Sequence, residues 1–397
     1  MKISVIVPIY HGKMYIQQMI KQIEAAAKEV DSEVELLLVN DDPQEVLDTN
    51  LSSSLIEIHV YNTEHNCGIH GARVKGLERS EGELVLFFDQ DDKMCPGYFK
   101  SQMDQIGSAD AVACQLLDNN KVYYNKNLPL ESCVQKEYMI YKGNFIVSPG
   151  QVLIRKSAIP PVWTSNILIH NGADDWLLWL CMLCLGKKFA VNSQVLFEHV
   201  IHKENASGNS LAMLTSMEEV YEILKESRNC TQEELDGING IVKEHEKRFI
   251  RERDKYFRMY TLMDTWLTMR EQGKKLSFYI KKHNCRRVSV YGKGRIGMRA
   301  ARELTEDGIE VGCFITTYPE KQVCGSFFQA DKKDEFLEEG IRTITLEDFK
   351  AVNEPVIITL IRDESKEIKK ALEEKGVRQI YFIEDMLERQ KDAEKEN

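Results

Sequence analysis

Short apolar runs separated by polar turns open the chain. Ile3–Pro8, Glu35–Val39, Ile56–Tyr61 and Glu83–Phe88 are nearly continuous in hydrophobic character rather than alternating. Such runs predict strands covered on both faces. Between the first two, Met14–Val30 carries apolar residues at helical spacing. Strand and helix patterns alternate in this way to about Ser210, which predicts an α/β fold. From Leu211 the texture changes to dense Glu, Lys and Arg. Phe249, Ile250, Phe257, Tyr260, Met263, Trp266 and Leu267 recur there at three- and four-residue steps. That pattern predicts a shorter helix followed by a long amphipathic one. Alternation restarts at Val288–Tyr291, then a Gly-rich turn, a helix, and strands at Glu310–Ile315 and Pro355–Leu360. A second, smaller doubly wound domain is the expectation.

Composition narrows the class. The 397 residues allow two or three domains, and 43% hydrophobic with 29% charged residues is ordinary for a globular chain. A net charge of −11 argues against a nucleic-acid-coating surface. Ten cysteines at irregular spacing read as reduced thiols rather than a disulfide scaffold. Cys181 and Cys184 form a CxxC inside an apolar helical run, which points to core packing. The N-terminus carries no basic leader, and the most apolar run, Trp176 to Leu185, falls well short of the roughly 20 residues a membrane span needs. A cytoplasmic protein is expected, with contact at a membrane face left open.

Carboxylates cluster at the predicted strand ends. The second strand runs into Asn40-Asp41-Asp42, and Leu84–Phe88 runs into Asp89-Gln90-Asp91-Asp92. Crowded like charges at a strand end repel unless a cation neutralises them, and oxygen-only ligands suit Mg²⁺ or Mn²⁺. Residues 66–77 (NCGIHGARVKGL) place Arg73 on a helix opening near the same edge, where it would favour diphosphate charge. Farther on, Asp174-Asp175 opens the apolar run that follows Gly172. An N-cap would explain that acidic pair in isolation.

Taken together, Val5-Ile6-Val7-Pro8-Ile9-Tyr10, Val39-Asn40-Asp41, the Asn66–Leu77 stretch and the Asp-x-Asp-Asp run at Asp89 resemble a family 2 glycosyltransferase of the GT-A fold, over roughly residues 1–210. The resemblance implies that Pro8 and Tyr10 line a nucleotide pocket, that Asp41 binds the uracil edge of a UDP-sugar, and that Arg73 lies near the base or phosphates. Asp89 and Asp91 become the metal and ribose motif, with Asp91 the direct ligand and His202 completing the site. Asp175 becomes the general base of an inverting transfer, with Asp174 the runner-up. Gln151 is placed by position along the groove, within reach of a sugar hydroxyl. Asp42-Pro43 departs from the Gly-Ser common in the family. The implied partners are a nucleotide-sugar donor and a glycan or lipid-linked acceptor, in surface polysaccharide synthesis.

The rest of the chain divides into a helical connector (211–283), a Rossmann-like α/β domain (284–387) and a charged tail (388–397). The connector reads as a strut, with a homodimer through it as the other reading. Gly292, Gly294 and Gly297 follow a strand and open a helix, as a nucleotide or phosphate fingerprint requires. The next strand, however, ends in Thr316-Thr317 rather than the acid an NAD ribose wants. A two-activity enzyme, with NAD(P) or another nucleotide bound behind the transferase, is the alternative.

Overall fold

From Ile3 to Ile9 every residue of β1 (Lys2–Ile9) is buried, as a central strand without polar alternation must be. The computed structural model describes residues 1–118, 120–200, 209–318, 341–351, 354–360 and 365–392. β2 (Glu33–Asn40) pairs with β1 in parallel, from Lys2 opposite Glu33 to Ile9 opposite Asn40. β3 (Glu57–Asn62) continues the parallel run beyond β2, and β4 (Leu84–Phe87) flanks β1 on its other side. These four strands point the same way, so their carboxyl ends share one edge. β5 (Lys93–Met94), β6 (Ala111–Asp118), β7 (Lys121–Val122), β8 (Val152–Arg155) and β9 (Phe189–His199) complete a mixed sheet of order β3-β2-β1-β4-β8-β6-β9-β5, with β7 paired to β6.

Two helices fix the site edge. The helix Gly68–Arg79 returns the chain from β3 to β4. It packs so close to the sheet that a Cβ on Gly76 would lie 2.4 Å from Ile6 Cγ2. Glycine here is what lets the Arg73 helix reach its depth. The helix Asp174–Cys184 is buried from Trp176 through Leu183, so its register is set by the core and its acidic first turn is carried to a fixed place.

The chain divides into two units, Met1–Phe249 and Ile250–Asn397. This revises the expected connector. Leu214, Val220, Leu224, Ile238 and Val242 belong to the first unit's core. Leu262, Trp266, Met269 and Ile280 belong to the second unit's core. The division falls inside the helix Gln232–Glu271, because its apolar positions are consumed by two different cores. The second unit is a wholly parallel sheet of β10 (Arg287–Tyr291), β11 (Glu310–Thr316), β12 (Thr343–Thr345), β13 (Val356–Ile358) and β14 (Ile380–Phe382). Its order is β12-β11-β10-β13-β14. The helices Arg295–Glu306, Lys366–Glu374 and Ile383–Asp392 accompany it.

Candidate functional site

The carboxyl edge of β1, β2 and β4 gathers Tyr10, Asp41 and Asp89. Tyr10 is half exposed, and its backbone N–H and carbonyl are both held by the Gln90 side chain, at 3.0 Å each. That tie joins the end of β1 to the Asp89–Asp92 run. Pro8, inside β1, pairs with Val39 in the adjacent strand. Asp41 is buried. Its Oδ1 accepts from the Cys67 backbone N–H at 2.8 Å and the Cys67 thiol at 2.9 Å. Burial and that carboxylate push the Cys67 thiol up to about 11, so it stays a neutral donor. Asp42, where the family pattern has Gly, is buried too and takes His11 Nδ1 at 2.8 Å, clamping the ends of β1 and β2 together.

Arg73 is the centre of the arrangement, and its side chain is turned to two carboxylates. It is only 3% exposed. One terminal nitrogen donates to Asp89 Oδ1 at 2.5 Å and the other to Asp174 Oδ2 at 2.6 Å. Its Nε is buried without a hydrogen-bond partner. Burial works against the guanidinium's charge, but Asp174 and Asp89 more than offset it and hold Arg73 firmly protonated. A single cation, 101 positions before Asp174, thus ties the Asp-x-Asp run to the acidic pair.

The acidic pair is held from several sides. Asn171 Oδ1 accepts from the Ile69 N–H at the start of the Arg73 helix, and Ser216 Oγ accepts from the Ala173 N–H. Trp163 Nε1 donates to the Asp174 carbonyl at 2.8 Å. Asp175 accepts from its neighbour Trp176 N–H at 2.7 Å and from Asn144 Nδ2 at 2.9 Å. Burial, and then the adjacent Asp174 charge, push Asp175 up to about 7, against the pull of Arg73. A carboxylate with its proton affinity near neutrality is what a general base at physiological pH requires.

Asp92 is buried and meets Ser148 Oγ at 2.9 Å and His199 Nδ1 at 3.1 Å. Burial raises Asp92 to about 6, while His199 pulls it down. Burial likewise opposes charge on His199, yet the Asp92 carboxylate lifts its proton affinity above the ordinary value. His199 is thus held against the Asp89–Asp92 run. His202, expected to complete the metal site, lies outside the described residues. Asn144 carried no signal in the sequence, whereas His199 stands at the end of a strand. Among the described residues, the three carboxylates of the Asp89–Asp92 run do not converge into a cage of their own. Asp89 keeps Oδ2, 3.5 Å from Ser148 Oγ, beyond its bond to Arg73. Hard oxygen donors from Asp89 and Asp91 fit a Mg²⁺- or Mn²⁺-type ion that takes its remaining ligands from substrate phosphates.

Gln151 departs from its expected place along the groove. It is fully buried; Oε1 accepts from the Val147 and Ser148 N–H groups and Nε2 donates to the Cys114 carbonyl and Tyr124 hydroxyl. Its amide shapes the Ser148 turn and has no face for a sugar. Cys181 is a core residue as expected, but Cys184 lies with its sulfur 2.8 Å from that of Cys230.

In the second unit the glycines serve the packing of the turn. A Cβ on Gly297 would lie 1.8 Å from the Gly292 carbonyl oxygen. Gly292 itself has φ +99°, and Thr359 Oγ1 donates to the Tyr291 carbonyl at 2.8 Å beside it. At the end of β11 the Tyr291 hydroxyl meets Thr317 Oγ1 at 2.6 Å, in the place where an acidic ribose ligand would stand.

Residues 4–163 match the family model described as glycosyl transferase family 2. That segment holds β1 to β4, Asp41, Arg73 and the Asp89–Asp92 run. The match ends before Asp174, so the acidic pair rests on the geometry given above. The chain is 28% identical over 112 residues to the uncharacterized glycosyltransferase YwdF of Bacillus subtilis (strain 168), covering 28% of this chain and 41% of that protein. It is 23% identical over 259 residues to the minor teichoic acid biosynthesis protein GgaB of the same organism, covering 62% and 27%. It therefore spans less than half the length of these curated relatives. Among solved structures, S. aureus TarS 1-349 in complex with UDP-GlcNAc is similar at 20% identity and a TM-score of 0.43, over 56% of this chain and 66% of that one.

Proposed function

We propose that the first unit is an inverting glycosyltransferase that moves a sugar from a nucleoside-diphosphate donor, UDP-linked by preference, onto a hydroxyl of a glycan or lipid-linked acceptor. The observation that carries this reading is the Asp89–Arg73–Asp174 bridge. It couples an oxygen-rich strand-end run, suited to a diphosphate and its counter-ion, to an acidic pair whose second member, Asp175, has its proton affinity raised to about 7.

In this reading Asp41 and Tyr10 border the nucleotide, and Asp89 and Asp91 would hold a divalent ion. Such an ion, when bound, supplies positive charge to the leaving diphosphate. Asp175 accepts the acceptor's hydroxyl proton as the oxygen attacks the anomeric carbon. The bond to the diphosphate breaks on the opposite face, so configuration inverts and no enzyme nucleophile is needed. Asp174, paired with Arg73, positions Asp175 rather than taking the proton itself. The second unit is read as a Rossmann-like domain in which Thr359 and the glycines close the turn on itself; the missing acid at Thr316-Thr317 weighs against NAD(P).

The test is a panel of nucleotide-sugars in thermal unfolding with Mn²⁺, followed by a transfer assay. A donor at a hundred times its dissociation constant should add about 2.7 kcal/mol to apparent stability. Stabilisation by one UDP-sugar that Asp91→Ala removes supports the reading. Absence of any nucleotide-sugar effect, with and without Mn²⁺, refutes it.

A further inference from the structure

The helix Asp174–Cys184 ends on a cysteine, and a second cysteine meets it from farther along the chain. Cys230 lies in the turn between the helices Ser210–Ser227 and Gln232–Glu271, 46 positions later. The two sulfurs are 2.8 Å apart, and both residues are half-buried. Cys181, which spacing in the sequence offers as the partner of Cys184, is fully buried in the core. The pairing that the fold makes therefore joins two distant segments.

Both sides of the contact are held. Leu180, Met182 and Leu183 fix the end of the first helix in the core, and Leu224 and Leu235 do the same on either side of the Cys230 turn. Thr231 Oγ1 accepts from the Glu234 N–H at 3.2 Å, and Glu234 Oε2 accepts from the Thr231 N–H at 2.8 Å, a reciprocal cap on the helix that follows. Lys136 Nζ donates to Glu234 Oε1 at 2.6 Å. A sulfur–sulfur bond measures about 2.05 Å, so less than an ångström of movement between two anchored segments separates this contact from a disulfide. A shared metal ion fits less well. Two thiolates on one tetrahedral zinc, each about 2.3 Å from it, stand roughly 3.8 Å apart. Glu234, the carboxylate within reach of both sulfurs, has each oxygen committed.

We propose that Cys184 and Cys230 form an oxidation site, which a low-molecular-weight disulfide such as oxidised glutathione closes to an intramolecular disulfide. The Cys230 thiolate attacks one sulfur of the small disulfide, breaking its S–S bond and releasing one small thiolate. Cys184 then attacks the Cys230 sulfur, so the protein S–S bond forms as the mixed one breaks and a second small thiolate leaves. Two protein thiols are oxidised, one small disulfide is reduced to two thiols, and the two protein protons pass to the released sulfurs. Hydrogen bonding to Cys230, and then burial, push the Cys184 thiol up, so it stays protonated until the second step. The cross-link ties the far end of the acidic pair's helix to the turn before Gln232–Glu271, and it stabilises the first unit by restricting the unfolded chain. The inference does not rest on the transferase reading.

To test it, the full chain is reduced with dithiothreitol, desalted, titrated with oxidised glutathione, then denatured, alkylated and digested without reductant. A peptide joining Cys184 to Cys230, lighter by two hydrogens than its parts, supports the proposal, together with an upward shift of the first unit's urea midpoint that dithiothreitol reverses. Cys184→Ser should lose both the cross-link and the shift and hold a single glutathione on Cys230. The readouts on the unsubstituted chain stand by themselves if that variant fails to fold. Alkylation of both sulfurs after excess oxidised glutathione, a bond from either to a different cysteine, or a cross-link that leaves the midpoint in place overturns the proposal. Protection of both sulfurs by Zn²⁺ in place of the cross-link, reversed by EDTA, makes the pair a metal site and overturns it too.

Discussion

Replacing Asp175 by Asn removes a charge while keeping the side chain's size. The carboxyl is raised from 3.8 to about 7 by burial and by Asp174, a difference of about three pKa units. At 1.36 kcal/mol per unit, ionising it in the folded chain costs about 4 kcal/mol. The sign follows from the raised value. Stability contributed by the protonated form is complete below the unfolded pKa and is lost as pH rises through about 7. An Asn cannot ionise and does not suffer that loss. The Asn variant should therefore gain on the parent between pH 4 and pH 8, by up to about 4 kcal/mol. A fixed penalty accompanies it, because the new amide sets an NH₂ group against Asn144 Nδ2, whose Oδ1 already accepts from the Ile146 N–H. That penalty does not change with pH, so the difference between urea midpoints at pH 5 and pH 8 isolates the charge. Transfer measured at saturating donor should rise with pH around 7 in the parent, and fall by about 10²–10⁴-fold with the limb abolished in the variant. A variant that transfers at the parental rate, or a stability difference equal at both pH values, refutes the reasoning.

Arg73→Gln keeps a hydrogen-bonding side chain but removes the charge that pulls Asp175 down, so the limb's midpoint should move upward from 7; a midpoint that stays or falls counts against the bridge. Asp91→Ala should abolish the donor's metal-dependent thermal stabilisation and leave melting without donor nearly unchanged, and EDTA should reproduce this in the parent. Gly297→Ala forces a Cβ against the Gly292 carbonyl and should destabilise the second unit by about 1–3 kcal/mol, read by denaturant unfolding, while the first unit's transition stays in place.

Much of the first unit was legible because its signals are local. Ile3–Pro8 and Glu35–Val39 became β1 and β2 with ends shifted by a residue or two, since a continuous apolar run bounded by polar residues marks its own ends. The strand-end acids were readable for the same reason. Contacts between distant segments were not. Nothing in residues 66–77 says that Arg73 is buried between Asp89 and Asp174. Gln151 looked available because a polar residue before an apolar strand resembles a groove residue, while its four bonds to protein atoms depend on how the Ser148 turn folds back. The helix Gln232–Glu271 read as one element and is one, but a periodic pattern cannot say that two cores use it.

The division of labour among the carboxylates follows from one guanidinium and its geometry. Arg73 offers two terminal nitrogens, and Asp89 and Asp174 take one each. Asp175, the next residue along the helix, feels Arg73 only through space and Asp174's repulsion at close range. Its own hydrogen bonds come from a neutral amide and a backbone N–H, which hold a carboxylate less strongly than a charged donor does. Of the two acids in the pair, it is therefore Asp175 whose proton moves near neutrality. Exchanging the roles would require Asp174 to leave the guanidinium, at a cost of several kcal/mol for a buried charge without its partner. The order Asp174-Asp175 at the opening of an apolar helix, read in the sequence as a runner-up followed by the expected base, is in the fold an acid held by a guanidinium followed by one that is not.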